Sequence, residues 1–365
     1  MFWSYRASDD PKFHYGMNIL KIFIAITLSF FIGIGITPTI THYLYKYKLW
    51  KKKARKVTTD GREASIFYEL HKKREVGTPR MGGIVIWLST LLTVLALALI
   101  AEWAPSDVSE KLNFLSRNQT WLPLFTLIAA SLVGLVDDLL EVTELGTYFA
   151  GGLSLSFRIL VIIAIGIIGG LWFFQKLGVT ELFVPFIGPL EIGWLVVPLF
   201  TIVMLAIYSG SVIDGIDGLA GGVLASMYAA YAGIAFFQGY IDVATLSAAL
   251  VGGILAFLWF NIPPARFYMG ETGMMGLTTA ITVIAFLTDS VFVLPIIAFP
   301  LIATSASDII QLLSKKFRNG KKVFLVAPLH HHFEAIGWPS YKVTMRYWII
   351  SIVFAVMGMV VAVFL

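Results

Sequence analysis

Apolar residues run uninterrupted through this chain in ten stretches, at about 18–41, 81–101, 120–136, 157–174, 193–208, 219–238, 243–260, 272–288, 290–313 and 343–365. A helix of about 20 apolar residues matches the hydrocarbon thickness of a bilayer. Backbone in lipid must satisfy its own hydrogen bonds, which a helix does within one segment. The expected fold is therefore an all-α polytopic membrane protein with about ten transmembrane helices in one domain, 1–365. A transmembrane barrel would instead alternate polarity in segments of about 10 residues. Of the 365 residues, 58% are hydrophobic and 13% charged, against roughly 25% charged in an ordinary soluble domain. That excludes a soluble enzyme, a disordered chain and a collagen-like fibre. There is no cysteine, which excludes disulfides, thiolate metal sites and a cysteine nucleophile.

The formal net charge is +5. Its distribution reads as membrane topology, with no nucleic-acid partner expected. Lys and Arg crowd the loop at 46–80 and return at 314–342, while 102–119 carries only Lys111 and Arg117. The positive-inside rule puts the two basic loops in the cytoplasm. An even number of spans then leaves both termini outside, the N-terminal one as a polar segment, 1–17, with no evident cleavable signal peptide. Two β-prone pieces around Ile187-Gly188-Pro189 suggest a small outside β-hairpin near 177–192.

Polar groups at the ends of apolar helices are costly and are functional hypotheses by default. Four clusters qualify. Asp137-Asp138 closes the third span, and Asp214-Gly-Ile-Asp217 follows the fifth. The segment from Asn261 through Tyr268 to Glu271 follows the seventh, and His330-His331-His332-Phe-Glu334 follows the ninth. Each follows an odd-numbered span, so all four are expected on the cytoplasmic face.

The carboxylates are hard oxygen ligands suited to Mg²⁺ or Mn²⁺. Mg²⁺ usually takes one or two of them plus substrate phosphates, so not all need be ligands. Three consecutive histidines cannot all face one cavity, whether extended or helical. One or two could donate to a phosphate or diphosphate. A metal and phosphate-binding groups at a membrane surface suggest phosphoryl transfer, in which catalysis is mostly positioning and charge stabilisation. One substrate would be soluble, and the other an anionic lipid arriving from among the membrane lipids.

At these clusters the sequence resembles the polyprenyl-phosphate N-acetylhexosamine-1-phosphate transferase superfamily. The most specific string is Ala327-Pro328-Leu329-His330-His331-His332-Phe333-Glu334, followed by Gly337-Trp338 and Arg346-Tyr347-Trp348. It is similar to the histidine motif of the phospho-N-acetylmuramoyl-pentapeptide transferases. Gly77-Thr78-Pro79-Arg80-Met81-Gly82-Gly83 and Gly152-Leu153-Ser154 resemble two further motifs. The resemblance covers about 71–348 and implies an enzyme of the bacterial cell membrane, with its active site cytoplasmic. It implies transfer of phospho-N-acetylmuramoyl-pentapeptide from its UDP conjugate to undecaprenyl phosphate, with Mg²⁺, giving lipid I and UMP. A transferase for another UDP-N-acetylhexosamine, or a non-catalytic binding or transport paralogue, is the alternative. The resemblance further implies a homodimer.

Carried over by motif, the catalytic set is Asp137, Asp138, Asp214, Asp217 and His330, with Asp137 the better candidate base. Substrate binding falls to Asn261, Tyr268, His331, His332, Arg158, Thr78 and Arg80, with Asn261 and Tyr268 bordering a uridine pocket. The metal set is Glu271, Asp214 and Ser211. Several positions depart from the pattern. Glu271 stands for Asp, Ser211 for Asn, Glu141 for Lys, Arg158 for Lys, Glu75 for Lys and Arg80 for Thr. Arg74 or Arg80 would restore the charge lost at Glu75. Glu141 either points away or pairs with a cation such as Arg158 or one of the 72–80 cluster.

Overall fold

A computed structural model describes residues 11–52, 76–116, 119–144 and 152–364. Among them, nine helices are long and apolar enough to cross a membrane, or ten spans if the bent pair Val291–Ile297 and Phe299–Phe317 counts as one. In chain order the elements are α1 (Pro11–Lys46), α2 (Ile84–Trp103), α3 (Asp107–Leu112), α4 (Trp121–Thr143) and α5 (Leu155–Gln175). The strands β1 (Glu181–Val184) and β2 (Gly188–Glu191) follow. Then come α6 (Val196–Ser209), α7 (Leu219–Phe237), α8 (Ile241–Asn261), α9 (Gly270–Leu287), α10 (Leu294–Ile297), α11 (Phe299–Phe317), α12 (Leu329–Ala335) and α13 (Ser340–Phe364).

The core lies where α7, α8 and α9 are enclosed by the others. α9 runs along α4, α8 packs on α1 and α7, and α13 packs on α7. Although α9 is buried, it carries Thr278, Thr279 and Thr282, whose hydroxyls donate to carbonyls four residues earlier. Polar side chains satisfied in this way sit in an apolar bundle without an orphaned group. α5 and α6 pack on each other around Phe173 and Phe200.

The bundle has two distinct ends. At one, the loop 76–83, the end of α4, the starts of α5 and α9, the turn 210–218 and α12 come together. At the other lies the hairpin, where Phe183 N–H donates to Asp289 Oδ1 at 2.9 Å. There too Lys21 in α1 pairs with Asp242 at the start of α8, 2.6 Å away. Tyr15 meets Phe236 at the far end of α7, and Ala362 lies beside Phe183 and Asp289. Both ends of the described chain are thus remote from the acidic clusters, as an even span count requires.

Two expectations need correction. The ninth span is broken: Val291–Ile297 and Phe299–Phe317 meet at 76°, with Pro300 in the first turn of the second piece, where its missing N–H costs nothing. Among the described residues, 11–17 is helical and continuous with the first span. In the hairpin, Gly188 and Pro189 belong to β2, pairing with Val184 and Phe183. Residues 1–10 and 53–75, with Arg74 and Glu75, lie outside the described residues.

Candidate active site

Asp138, fully buried at the end of α4, accepts from Glu271 N–H at 3.2 Å through Oδ1. Its Oδ2 accepts from Thr272 N–H at 2.9 Å and from the Thr272 hydroxyl at 2.7 Å. It therefore caps the first turn of α9 from a neighbouring helix, where N–H groups lack intrahelical partners and favour negative charge. Gly270, at φ +71°, lies so close that a Cβ there would run into the Asp138 carboxylate. Asp214 Oδ2 accepts from Gly270 N–H at 2.9 Å. Two of the expected catalytic carboxylates thus hold the start of α9 and fix Glu271. Burial pushes the Asp214 carboxyl above the usual range, against the pull of Arg80 and the Gly270 N–H.

Glu271 Oε1 receives Arg158 Nη1 at 2.7 Å, and its Oε2 receives the Tyr208 hydroxyl at 3.3 Å. Arg158 Nη1 is also 3.6 Å from Asp137 Oδ2, while Asp137 Oδ1 accepts from Leu153 N–H. Arg158 stands in the first turn of α5, whose N-cap Ser154 accepts from Phe157 N–H at 3.2 Å. The second arginine, Arg80, comes from the loop before α2. Tyr268 N–H donates to Pro79 O at 2.8 Å, and Gly82 N–H to Tyr268 O at 2.8 Å. These bonds lay Arg80 and the half-buried Thr78 against the start of α9. Arg80 Nη1 is 2.6 Å from Glu141 Oε2, and its Nε is 3.6 Å from Asp138 Oδ1. Burial alone would disfavour its charge, but Glu141, Asp138, Asp214 and Glu271 outweigh that and hold the guanidinium above its ordinary range. Glu141 Oε1 takes Lys51 Nζ at 2.8 Å. Among the described residues, the expected partner that pairs with Glu141 is Arg80, and Lys51 joins it; Lys72, Lys73 and Arg74 lie outside them.

Two expected residues serve as loop anchors. Asn261 accepts from Gly218 N–H at 2.9 Å and donates to Phe267 O at 2.8 Å, so both ends of its amide have backbone partners. Asp217 Oδ2 accepts from Ala265 N–H at 3.1 Å. The same turn is tied to α13, since Thr344 donates to Asp217 O and Trp348 Nε1 to Gly218 O. Ser211 joins the cluster through its backbone, accepting from Asp214 N–H at 3.1 Å.

Two of the three histidines face this site. The buried His330 and His331 rings lie 4.1 Å apart. A Cβ at Gly215, between Asp214 and Asp217, would sit 2.6 Å from His330 Nε2 and 2.7 Å from His331 Nε2. His331 Nδ1 is 2.7 Å from Glu334 Oε2, and Ser340 donates to Glu334 Oε1 at 2.6 Å. His332 turns elsewhere and accepts from Leu325 N–H at 3.2 Å. Sequence reasoning left Lys51, Tyr208, Thr272 and Ser340 out of the site. Glu334 had a signal, its three-residue spacing from His331 on one helical face.

Chemically, the cluster offers both signs of charge. The Nε atoms of Arg80 and Arg158 are buried donors without a hydrogen-bond partner among the described residues, and each side chain stays 19% exposed, so the guanidinium edges suit an incoming anion. Among the described residues around them, the carboxylates of Asp137, Asp138, Glu141, Asp214 and Glu271 outnumber the cations Lys51, Arg80 and Arg158. A cation could be accommodated there. Among the described residues no three side chains form a metal cage. The donor set instead fits Mg²⁺ shared between one or two carboxylates and a bound phosphate.

Residues 120–289 match the family described as glycosyl transferase family 4. A phospho-N-acetylmuramoyl-pentapeptide-transferase of Rickettsia massiliae is 34% identical, over 93% of this chain and 91% of its own length. One of Anoxybacillus flavithermus is 34% identical, over 95% and 99%. One of Shouchella clausii is 32% identical, over 96% and 100%. With about a third of its residues shared along nearly its whole length, the chain belongs to the phospho-N-acetylmuramoyl-pentapeptide-transferase family.

Proposed function

We propose that this chain transfers phospho-N-acetylmuramoyl-pentapeptide from UDP-N-acetylmuramoyl-pentapeptide to undecaprenyl phosphate, releasing UMP and forming lipid I for peptidoglycan synthesis. The observation that carries this reading is the pair of arginines set among carboxylates at one end of a membrane bundle, beside two buried histidines. An oxygen of the lipid phosphate forms a bond to the sugar-linked phosphorus, and the bond from that phosphorus to the bridging oxygen breaks. UMP leaves with the electron pair. A phosphate monoester has a second pKa near 6 and is largely ionised at neutral pH, so direct attack needs little help from a base. Asp137 is the carboxylate to take any remaining proton.

Arg80 and Arg158 bind and orient the diphosphate, and His330 and His331 border it from the Asp214 loop. Asp214 and Glu271 would hold Mg²⁺, which when bound offsets charge developing on the phosphate oxygens. The site end is taken as the cytoplasmic one, because the basic loops at 46–80 and 314–342 connect helices at that end. Both termini then lie outside, and the protein resides in the bacterial plasma membrane, as a homodimer.

Donor choice tests the reading against the alternative transferase. Purified protein with undecaprenyl phosphate and Mg²⁺ is given UDP-N-acetylmuramoyl-pentapeptide or UDP-N-acetylglucosamine, and the lipid phase is extracted. Lipid product from the first donor is expected. Product from the second donor alone, or from neither, would overturn it.

A further inference from the structure

We propose that Glu141 is a positioning residue that presents Arg80 to the diphosphate of the donor, with Lys51 as the second arm of the clamp. The inference rests on the donor being a nucleoside diphosphate, as proposed above. Glu141 lies in the last turn of α4 with its side chain 11% exposed, and each of its oxygens holds a different cation. Lys51 follows α1 and Arg80 precedes α2, so one carboxylate gathers three separate segments. Only Nη1 of Arg80 is used on Glu141, at 2.6 Å. Its Nε has no hydrogen-bond partner among the described residues.

Two effects follow from this geometry. A guanidinium is a rigid fork, so fixing one nitrogen orients the remaining N–H groups together. Arg80 also has a competing attraction, since Asp138 Oδ1 is 3.6 Å from its Nε. Asp138 already caps α9 through three hydrogen bonds. Glu141 draws Arg80 away from that carboxylate, leaving Asp138 to α9 and the guanidinium to a phosphate. Without Glu141, Lys51 and Arg80 would repel each other, and Arg80 would settle onto Asp138.

The test is calorimetric binding of UDP and of uridine to the purified full-length protein in detergent. Glu141→Gln should weaken UDP about tenfold, the scale of a misplaced charge-assisted bond, and leave uridine unchanged. Glu141→Asp should recover most of the loss. Lys51→Met, which leaves the Arg80 pair in place, should weaken UDP by a smaller factor. Unchanged UDP affinity in both Glu141→Gln and Lys51→Met would overturn the inference. Equal losses for UDP and uridine would do the same, marking Glu141 as a structural brace. Failure of the wild-type protein to bind either compound would overturn the nucleotide reading itself.

Discussion

Glu271 has an arginine on one oxygen and a tyrosine hydroxyl on the other, with a helix start beneath it. Glu271→Ala would leave Arg158 half-buried without its closest partner and remove a proposed metal ligand. The expected loss in kcat/KM is about 10²–10³-fold, the scale of removing one electrostatic group at a developing charge. Glu271→Asp keeps the carboxylate one methylene shorter and should retain activity, with an altered preference between Mg²⁺ and Mn²⁺. Normal turnover of Glu271→Ala with unchanged Mg²⁺ dependence would reduce Glu271 to a helix-end charge. Glu334 acts through His331, 2.7 Å away. Glu334→Gln should lower kcat on the order of 10²-fold, as when a proton-handling group is misoriented. A lower Tm with unchanged kcat would make Glu334 only a clasp between α12 and α13. These residues differ in how far sequence revealed them. Carboxylates at apolar helix ends announce themselves by their cost, and the resemblance supplied roles. Tyr208 and Lys51 did not, because one tyrosine in an apolar span and one lysine in a basic loop look ordinary until the fold brings them to a carboxylate.

Among the elements, α9 depends on a residue outside itself. Asp138→Asn replaces an acceptor with an amide that turns N–H toward N–H, which should cost about 1–3 kcal/mol. It should also shift Glu271, so Tm and kcat fall together. A fall in kcat at unchanged Tm would instead give Asp138 a purely chemical role. The nine or ten candidate spans were legible because the apolar stretches approach the length that crosses lipid, and the hairpin because two β-prone pieces lie close together, although Gly188 and Pro189 proved to belong to β2. The break in the ninth span was not, although Pro295 and Pro300 stand inside it. Proline is tolerated in transmembrane helices, so its presence alone does not predict a bend. The short helices α3 and α12 were also missed. α3 starts on a reciprocal cap between Ser106 and Ser109, a pattern lost within a polar connection. α12 is seven residues long, too short for a periodic signal.

For the whole molecule, the proposed orientation puts the site in the cytoplasm and the hairpin outside. The native chain has no cysteine, so single cysteines report without background. Cysteines at Lys52 and Asn319 should react with an impermeant reagent only from the cytosolic side, and those at Ser106 and Phe186 only from outside. Labelling of Lys52 and Asn319 from opposite faces would contradict the even count between them. The parity of the four clusters was readable because charge and span number are both in the sequence. Their convergence was not, since residues as distant as Lys51 and Glu141 meet only through packing. The central claim is tested most directly with a donor carrying ¹⁴C in its sugar and ³H in its uridine. The account predicts that ¹⁴C enters the lipid phase only when undecaprenyl phosphate is present, while ³H stays in water as UMP, one for one. Both labels entering lipid together, or ¹⁴C never leaving the water, would contradict it.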